Sequence, residues 1–153
     1  MELLELYQKL LNIFDAKEAS DLGHALMDAV TSGDIEKYSA YLGLGMGLKQ
    51  DDLQRIFQYY CADREEKKQD FTPASLAKLL AVLTSNTDEL VDMCAGSGAL
   101  TIQAWAENDK RRFVLYELDE KVIPYLLFNL AVATMCIRIR STTNTFWCSR
   151  TDC

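Results

Sequence analysis

Apolar positions along the first 70 residues recur at three- and four-residue spacing, the period of helices that bury one face. Leu3, Leu4, Leu6, Tyr7, Leu10, Leu11, Ile13 and Phe14 form a broad stripe. Ser20-Asp21 is read as the cap of a second helix that buries Leu22, Leu26, Met27 and Val30 and stops near Ser32-Gly33. Asp34 caps a third, carrying Ile35, Tyr38 and Tyr41-Leu42, and Asp51 or Asp52 opens a fourth through Leu53, Ile56, Phe57 and Tyr60. Gly43, Gly45 and Gly47 between them read as a turn. The charged stretch from Asp63 to Asp70 reads as a solvated helix end or linker.

The pattern changes at Phe71. Pro73 suits a first helical turn with Thr72 as its cap, and Leu76, Leu79, Leu80, Val82 and Leu83 supply the apolar face. A turn at Ser85-Asn86-Thr87 leads to a strand over Glu89 to Met93, a glycine loop, and a helix from Ala99 to about Glu107. Asn108-Asp109-Lys110 breaks that helix, Arg112 to Glu117 forms a second strand, and Asp119 caps a helix through Val132. Strand, helix, strand, helix with short connections predicts a parallel sheet in an α/β fold. The expected organisation is a helical region over 1–70, a nucleoside-binding half domain over 71–135, and a tail over 136–153. In that tail Ile137-Arg138-Ile139-Arg140 could start a third strand.

Composition narrows the setting. Of 153 residues 49% are apolar and 25% charged, as in a globular protein with a real core. No apolar run is long enough to cross a bilayer and no secretory leader is recognisable, so a cytoplasmic location is the expectation. Five cysteines without a CxxC pair argue against a disulfide framework or a zinc site. The net charge is −7, with 14 acids against 8 Lys and Arg in residues 1–70, and 9 against 8 thereafter. Neither part carries the basic footprint of a nucleic-acid-binding domain, so contact with DNA would come through other segments or a subunit. His24, the only histidine, has no nucleophile or ligand partner near it in sequence.

The chemistry concentrates in Val91-Asp92-Met93-Cys94-Ala95-Gly96-Ser97-Gly98-Ala99-Leu100. A strand ending in an acid, a loop with two glycines one residue apart, and a following helix bring backbone close to a nucleoside ligand. Glu117 follows Gly98 by 19 residues, at the end of the second strand, where a carboxylate can accept ribose hydroxyls. Leu118 is placed to lie against an adenine ring. Thr101 stands where a dinucleotide fingerprint has its third glycine, and Asp92 would repel phosphate but can hold an ammonium group. The loop therefore favours S-adenosylmethionine over NAD. Taken singly, Asp92 and Glu117 read as a helix cap and a solvated strand-end acid. Cys94 reads as a packing residue, and Trp105, Phe113 and Tyr116 read as core.

Phe71-Thr72-Pro73, the loop from Asp92 to Leu100, and Tyr116-Glu117-Leu118-Asp119 together resemble the cofactor half of N6-adenine DNA methyltransferases. The resemblance is strongest to those related to modification subunits of type I restriction-modification systems. It implies a Rossmann-like S-adenosylmethionine-dependent methyltransferase sheet with an N-terminal helical bundle. By that resemblance Phe71, Thr72 and Pro73 help hold the methionine part of the cofactor. Asp92, Cys94, Ala95, Gly96, Ser97 and Gly98 surround the methionine and ribose, and Glu117 binds the ribose. The family's N/D-P-P-Y/F tetrad, which receives the flipped target base, has no counterpart, since the only prolines are Pro73 and Pro124. The family's acid after the third strand is also missing. The resemblance thus implies a cofactor-binding part without catalytic residues, inactive alone, with the tail a truncated or frame-shifted end. DNA is the partner expected of the full enzyme, a homo- or hetero-oligomer is open, and no membrane is involved. Alternatives are a non-catalytic nucleotide-binding or subunit-assembly module, or a methyltransferase acting on RNA or a small molecule.

Overall fold

A computed structural model describes residues 2–46, 51–62 and 72–142, with side chains through Cys136. Helix α1 spans Leu3–Phe14 and buries Leu6, Leu10 and Phe14, one stripe of the predicted spacing. Helix α2, Ala19–Ser32, starts one residue before the predicted Ser20-Asp21 cap. Glu18 occupies the cap position, and the Asp21 carboxylate instead accepts the Lys17 N–H from inside the first turn at 3.2 Å. The helix closes at Gly33, whose φ of 66° lets its N–H reach back to Ala29 and Val30. Leu22, Leu26 and Ala29 are buried, whereas Met27 and Val30 are half-buried.

Helix α3, Ile35–Gly43, is capped by Asp34, which accepts the Lys37 N–H at 3.1 Å. Tyr38 and Tyr41 face inward as expected, but Ile35 sits in the first turn on the outer side and is exposed. Helix α4, Asp52–Tyr60, has Asp51 as its cap and buries Leu53, Ile56 and Phe57. The charged run over 63–70 lies outside the described residues, as do Gly47, Phe71 and residues 143–153.

Helix α5, Ala74–Leu83, starts one residue later than its proline suggested, with Pro73 itself at the cap position rather than Thr72. Its buried line is Ala77 and Ala81, packed against α6. Leu76, Leu79, Leu80, Val82 and Leu83 are exposed, which reverses the predicted face. The reason is close approach: alanines four residues apart let two helices pack closely, and the bulkier side chains turn outward.

Strand β1, Glu89–Asp92, pairs in parallel with β2, Arg112–Leu115, in the register Leu90 opposite Phe113 and Asp92 opposite Leu115. Arg112 and Glu89, opposite each other at the start of the ladder, form an ion pair. Helix α6, Ala99–Glu107, connects them and has the predicted bounds. Trp105 and Phe113 meet at a tilt of 44° with ring centres 5.6 Å apart, both half-buried, but Tyr116 is exposed rather than core.

Helix α7 runs over Ile123–Thr142. It starts later than Asp119, which sits in a preceding turn and accepts the Lys121 N–H, and Pro124 falls in its first turn. It also runs on through Ile137 to Arg140, so no third strand forms there: the two-residue alternation of Ile and Arg yields to an already propagating helix. Among the described residues the architecture is helix-dominated with a two-stranded parallel sheet.

Helix α7 joins the two parts of the chain. Its Phe128 is fully buried, with ring centres 5.1 Å from Phe14, 5.1 Å from Tyr38 and 5.2 Å from Tyr41. Tyr125, one turn earlier, meets Phe57 edge to face at 5.1 Å. Each such aromatic contributes about 1.5–3 kcal/mol by burial, and the edge-on pairing adds about 1 kcal/mol. The core of the helical region is thus completed by the helix that follows β2.

Candidate functional site

The parallel register sets the site. With Asp92 opposite Leu115, both strands end together, and the ladder extends beyond them. Tyr116 N–H donates to the Asp92 carbonyl at 2.8 Å, and Ala95 N–H to the Tyr116 carbonyl at 2.9 Å. This pairing carries Glu117 up to the glycine loop. The loop itself is a tight turn closed by Gly98 N–H on the Ala95 carbonyl at 2.8 Å. Gly96 and Gly98 have φ of 55° and 97°, a region open chiefly to glycine, and a Cβ on Gly98 would lie 2.9 Å from Leu126 Cδ1. The Gly98 carbonyl then accepts the Ile102 N–H at 2.8 Å, the first bond of α6.

Glu117 closes the constellation. Its Oε2 accepts the Gly96 N–H at 2.7 Å, while Oε1 accepts those of Leu118 and Asp119, each at 2.8 Å. A carboxylate has about four acceptor positions. Three are taken by backbone, and the fourth, on Oε2, can take one hydroxyl without loss of any bond. The carboxylate is only half-buried and Leu118 beside it is 97% exposed, so an apolar ring face has a surface to rest on.

Asp92 is 8% exposed. Its Oδ1 accepts the Cys94 N–H at 3.2 Å, and Oδ2 lies 3.5 Å from the hydroxyl of the fully buried Thr101. These neutral donors leave the aspartate's charge without a cation from its own hydrogen-bond partners. The loop residues Asp92 to Gly98 include no lysine or arginine. Carboxylate acceptors without a nearby loop cation suit a ligand with an ammonium group and hydroxyls better than one with phosphates.

The structure brings Asp92, Cys94, Ala95, Gly96, Ser97, Gly98, Glu117 and Leu118 into one loop cluster at the carboxyl ends of the strands. The Cys94 side chain is exposed, and Ala95 is buried. Thr72 is tied to α4, its carbonyl accepting from Gln54 Nε2 at 3.5 Å, and Pro73 is exposed at the start of α5. Phe71 lies outside the described residues. Ser97 is turned inward: its hydroxyl donates to Asp51 Oδ2 at 2.6 Å, and its carbonyl accepts from Asn129 Nδ2 at 2.9 Å. Asn129 Nδ2 also donates to Asp51 Oδ1 at 2.8 Å.

Asp51 and Asn129 were not among the residues that sequence reasoning singled out for the site. In the sequence Asp51 reads only as a helix cap, a role it also fills by accepting the Gln54 N–H at 2.9 Å. Asn129 carried a readable signal, a lone amide within Tyr125-Leu126-Leu127-Phe128-Asn129-Leu130. Burial pushes the Asp51 carboxyl up to about 6, opposed by hydrogen bonds from Ser97, Gln54 and Asn129 that favour its charged form.

Other reactive groups lie elsewhere. His24 is exposed on α2. Cys61 sits 3.5 Å from the Tyr125 hydroxyl, and burial raises the proton affinity of both. Among the described residues no group of three or more His, Cys, Asp or Glu could hold a metal ion, and no helix is long and apolar enough to cross a membrane.

Comparison with known proteins found no match among curated sequences and none among solved structures. The family described as N-6 DNA Methylase matches residues 48–145, well over half of the chain. That stretch contains Asp51, both strands, the glycine loop and Glu117, and the chain belongs to the N-6 DNA methylase family.

Proposed function

We propose that this chain binds S-adenosylmethionine as part of a DNA adenine-N6 methyltransferase of the restriction-modification type, and does not transfer methyl groups alone. The observation that carries the reading is the closure of the glycine loop on Glu117. The Gly96 N–H bond at 2.7 Å holds a half-exposed carboxylate, with one acceptor position open, against the loop that follows the buried acid ending β1. In this reading β1, α6 and β2 are the start of a Rossmann-like sheet, and residues 1–70 are the helical support of a 71–135 cofactor part.

The residues present fit the cofactor. Asp92 would hold the ammonium group directly or through water. Gly96 and Gly98 would supply the positive-φ turn that presents loop backbone to the ligand, Glu117 would take a ribose hydroxyl, and Leu118 would cover a face of the adenine. Thr72 and Pro73, with Phe71, would border the methionine side. The bound cofactor supplies an electrophilic methyl group for the amino nitrogen of an adenine turned out of the helix. The chain's own contribution is positioning, which in such transfers accounts for much of the rate. DNA would be engaged through segments or a subunit other than this acidic one. The absence of an N/D-P-P-Y/F tetrad from these 153 residues supports binding without turnover.

Calorimetric titration with S-adenosylmethionine, its demethylated product S-adenosylhomocysteine, and NAD tests the proposal. Binding of the first two but not NAD is expected, weakened at least tenfold in Asp92→Ala. Preference for NAD, or no binding of any of the three, would overturn it.

A further inference from the structure

We propose that Asp51, Ser97 and Asn129 form a buried positioning bridge through which the N-terminal helical region holds the glycine loop in its ligand-ready shape. Its bearing on cofactor affinity rests on the function proposed above; its bearing on the loop does not. The three side chains come from three separate places: the cap of α4, the loop after β1, and the middle of α7. They are 6%, 1% and 5% exposed, so the cluster is buried.

The bonding is reciprocal. Asp51 Oδ2 takes the Ser97 hydroxyl at 2.6 Å, Asp51 Oδ1 takes Asn129 Nδ2 at 2.8 Å, and the same amide reaches the Ser97 carbonyl at 2.9 Å. Ser97 is therefore held at both its side chain and its backbone. It stands between Gly96 and Gly98, two residues with φ above zero and little intrinsic preference for their conformation. A loop hinged on two glycines has many alternatives, and these bonds remove them at the residue between the hinges. Pinning the Ser97 carbonyl fixes the Ser97–Gly98 peptide plane. It thereby aims the Gly98 N–H at the Ala95 carbonyl, while the Gly96 N–H, on the other side of Ser97, meets Glu117.

Nothing in the cofactor chemistry uses these side chains, since the Ser97 hydroxyl points away from the ligand face. Asp51 also caps α4 through Gln54, and Gln54 in turn reaches the Thr72 carbonyl. One carboxylate thus links α4, the glycine loop, α7 and the segment entering α5. Asp51, Ser97 and Asn129 are positioning residues, and the loop's geometry depends on a helical region that need not touch ligand.

Amide hydrogen exchange in the full chain, without ligand, reads the bridge directly. Ser97→Ala, which removes one charge-assisted bond, is expected to speed exchange at Gly96 and Gly98 about tenfold. Leu10 and Leu26, deep in α1 and α2, should exchange as in the wild type. Asp51→Asn can keep every partner: its amide oxygen accepts from Gln54 and Asn129, and its NH2 donates to the Ser97 oxygen. It should exchange within about threefold of the wild type, whereas Asp51→Ala should resemble or exceed Ser97→Ala. S-adenosylhomocysteine affinity should fall in the same order.

Unchanged loop exchange in Ser97→Ala would overturn the bridge. So would a uniform acceleration that includes Leu10 and Leu26. If the loop amides respond as expected while the wild type binds no S-adenosylhomocysteine, the bridge stands and the cofactor reading falls.

Discussion

Asp51→Asn should make the protein more stable at neutral pH than the wild type, and the advantage should vanish in acid. An aspartic acid ordinarily titrates near 3.8, and burial raises Asp51 to about 6 in the folded chain. Between those values the folded state holds a proton that the unfolded state has released. Stability therefore falls as pH rises through that window and levels off above it. At about 1.4 kcal/mol for each pH unit separating the two, the ionised carboxylate costs about 3 kcal/mol at pH 7.5. That is a large share of the about 5–15 kcal/mol typical of a domain. Among the described residues, three further groups bear on the charge there. Asp52 adjoins Asp51 on α4, Tyr41 faces both from α3 with its hydroxyl held protonated by burial, and Cys136 lies near Tyr41 on α7.

The amide mimics the protonated acid in shape and keeps the cap. Urea denaturation of both proteins at pH 4.5 and 7.5 isolates the effect, because the remaining carboxylates titrate alike in each. The variant should gain about 2 kcal/mol relative to the wild type over that interval. At a slope of about 2 kcal/mol per molar urea, its midpoint rises by about 1 M relative to the wild type. Curves that run parallel with pH, or a variant that loses ground toward neutrality, would refute the argument.

Gly98→Ala should destabilise by about 1–3 kcal/mol, because its φ of 97° strains any L side chain and the new methyl would press on Leu126; a thermal midpoint unchanged from the wild type would contradict this. In α5 the structure makes an unusual demand. Ala81→Leu should cost about 1–3 kcal/mol by overfilling the seam with α6, whereas Leu79→Ser on the exposed face should stay within about 0.5 kcal/mol. Urea midpoints in the reverse order would show that the leucine face, not the alanine line, is the packed one.

How much of this the sequence discloses depends on the range of the interaction involved. Periodicity placed α1 correctly because Leu6, Leu10 and Phe14 are both apolar and buried, and one rule decides both properties. It misplaced the face of α5 because Ala77 and Ala81 are less apolar than the leucines beside them, and only the approach of α6 determines which side is buried. The Ile137–Arg140 alternation failed for a related reason: a four-residue pattern is overruled by a helix entering from upstream. At the site, the loop and Glu117 were legible because their spacing is a local consequence of one strand–helix–strand unit. The Asp51–Ser97 bond spans 46 residues and the Asp51–Asn129 bond 78. Local propensity could name the cap and the stray amide, but not their meeting.

The loop after β1 and the acid after β2 are proposed above to form one pocket for S-adenosylmethionine. A proton–nitrogen NMR titration of the full chain with S-adenosylhomocysteine examines it most directly. Saturable shifts are expected at the amides of Cys94, Gly96, Gly98 and Leu118, with α1 and α2 unmoved, and loss of those shifts in Glu117→Ala. Saturable shifts confined to the helical region, or none at millimolar ligand, would contradict it.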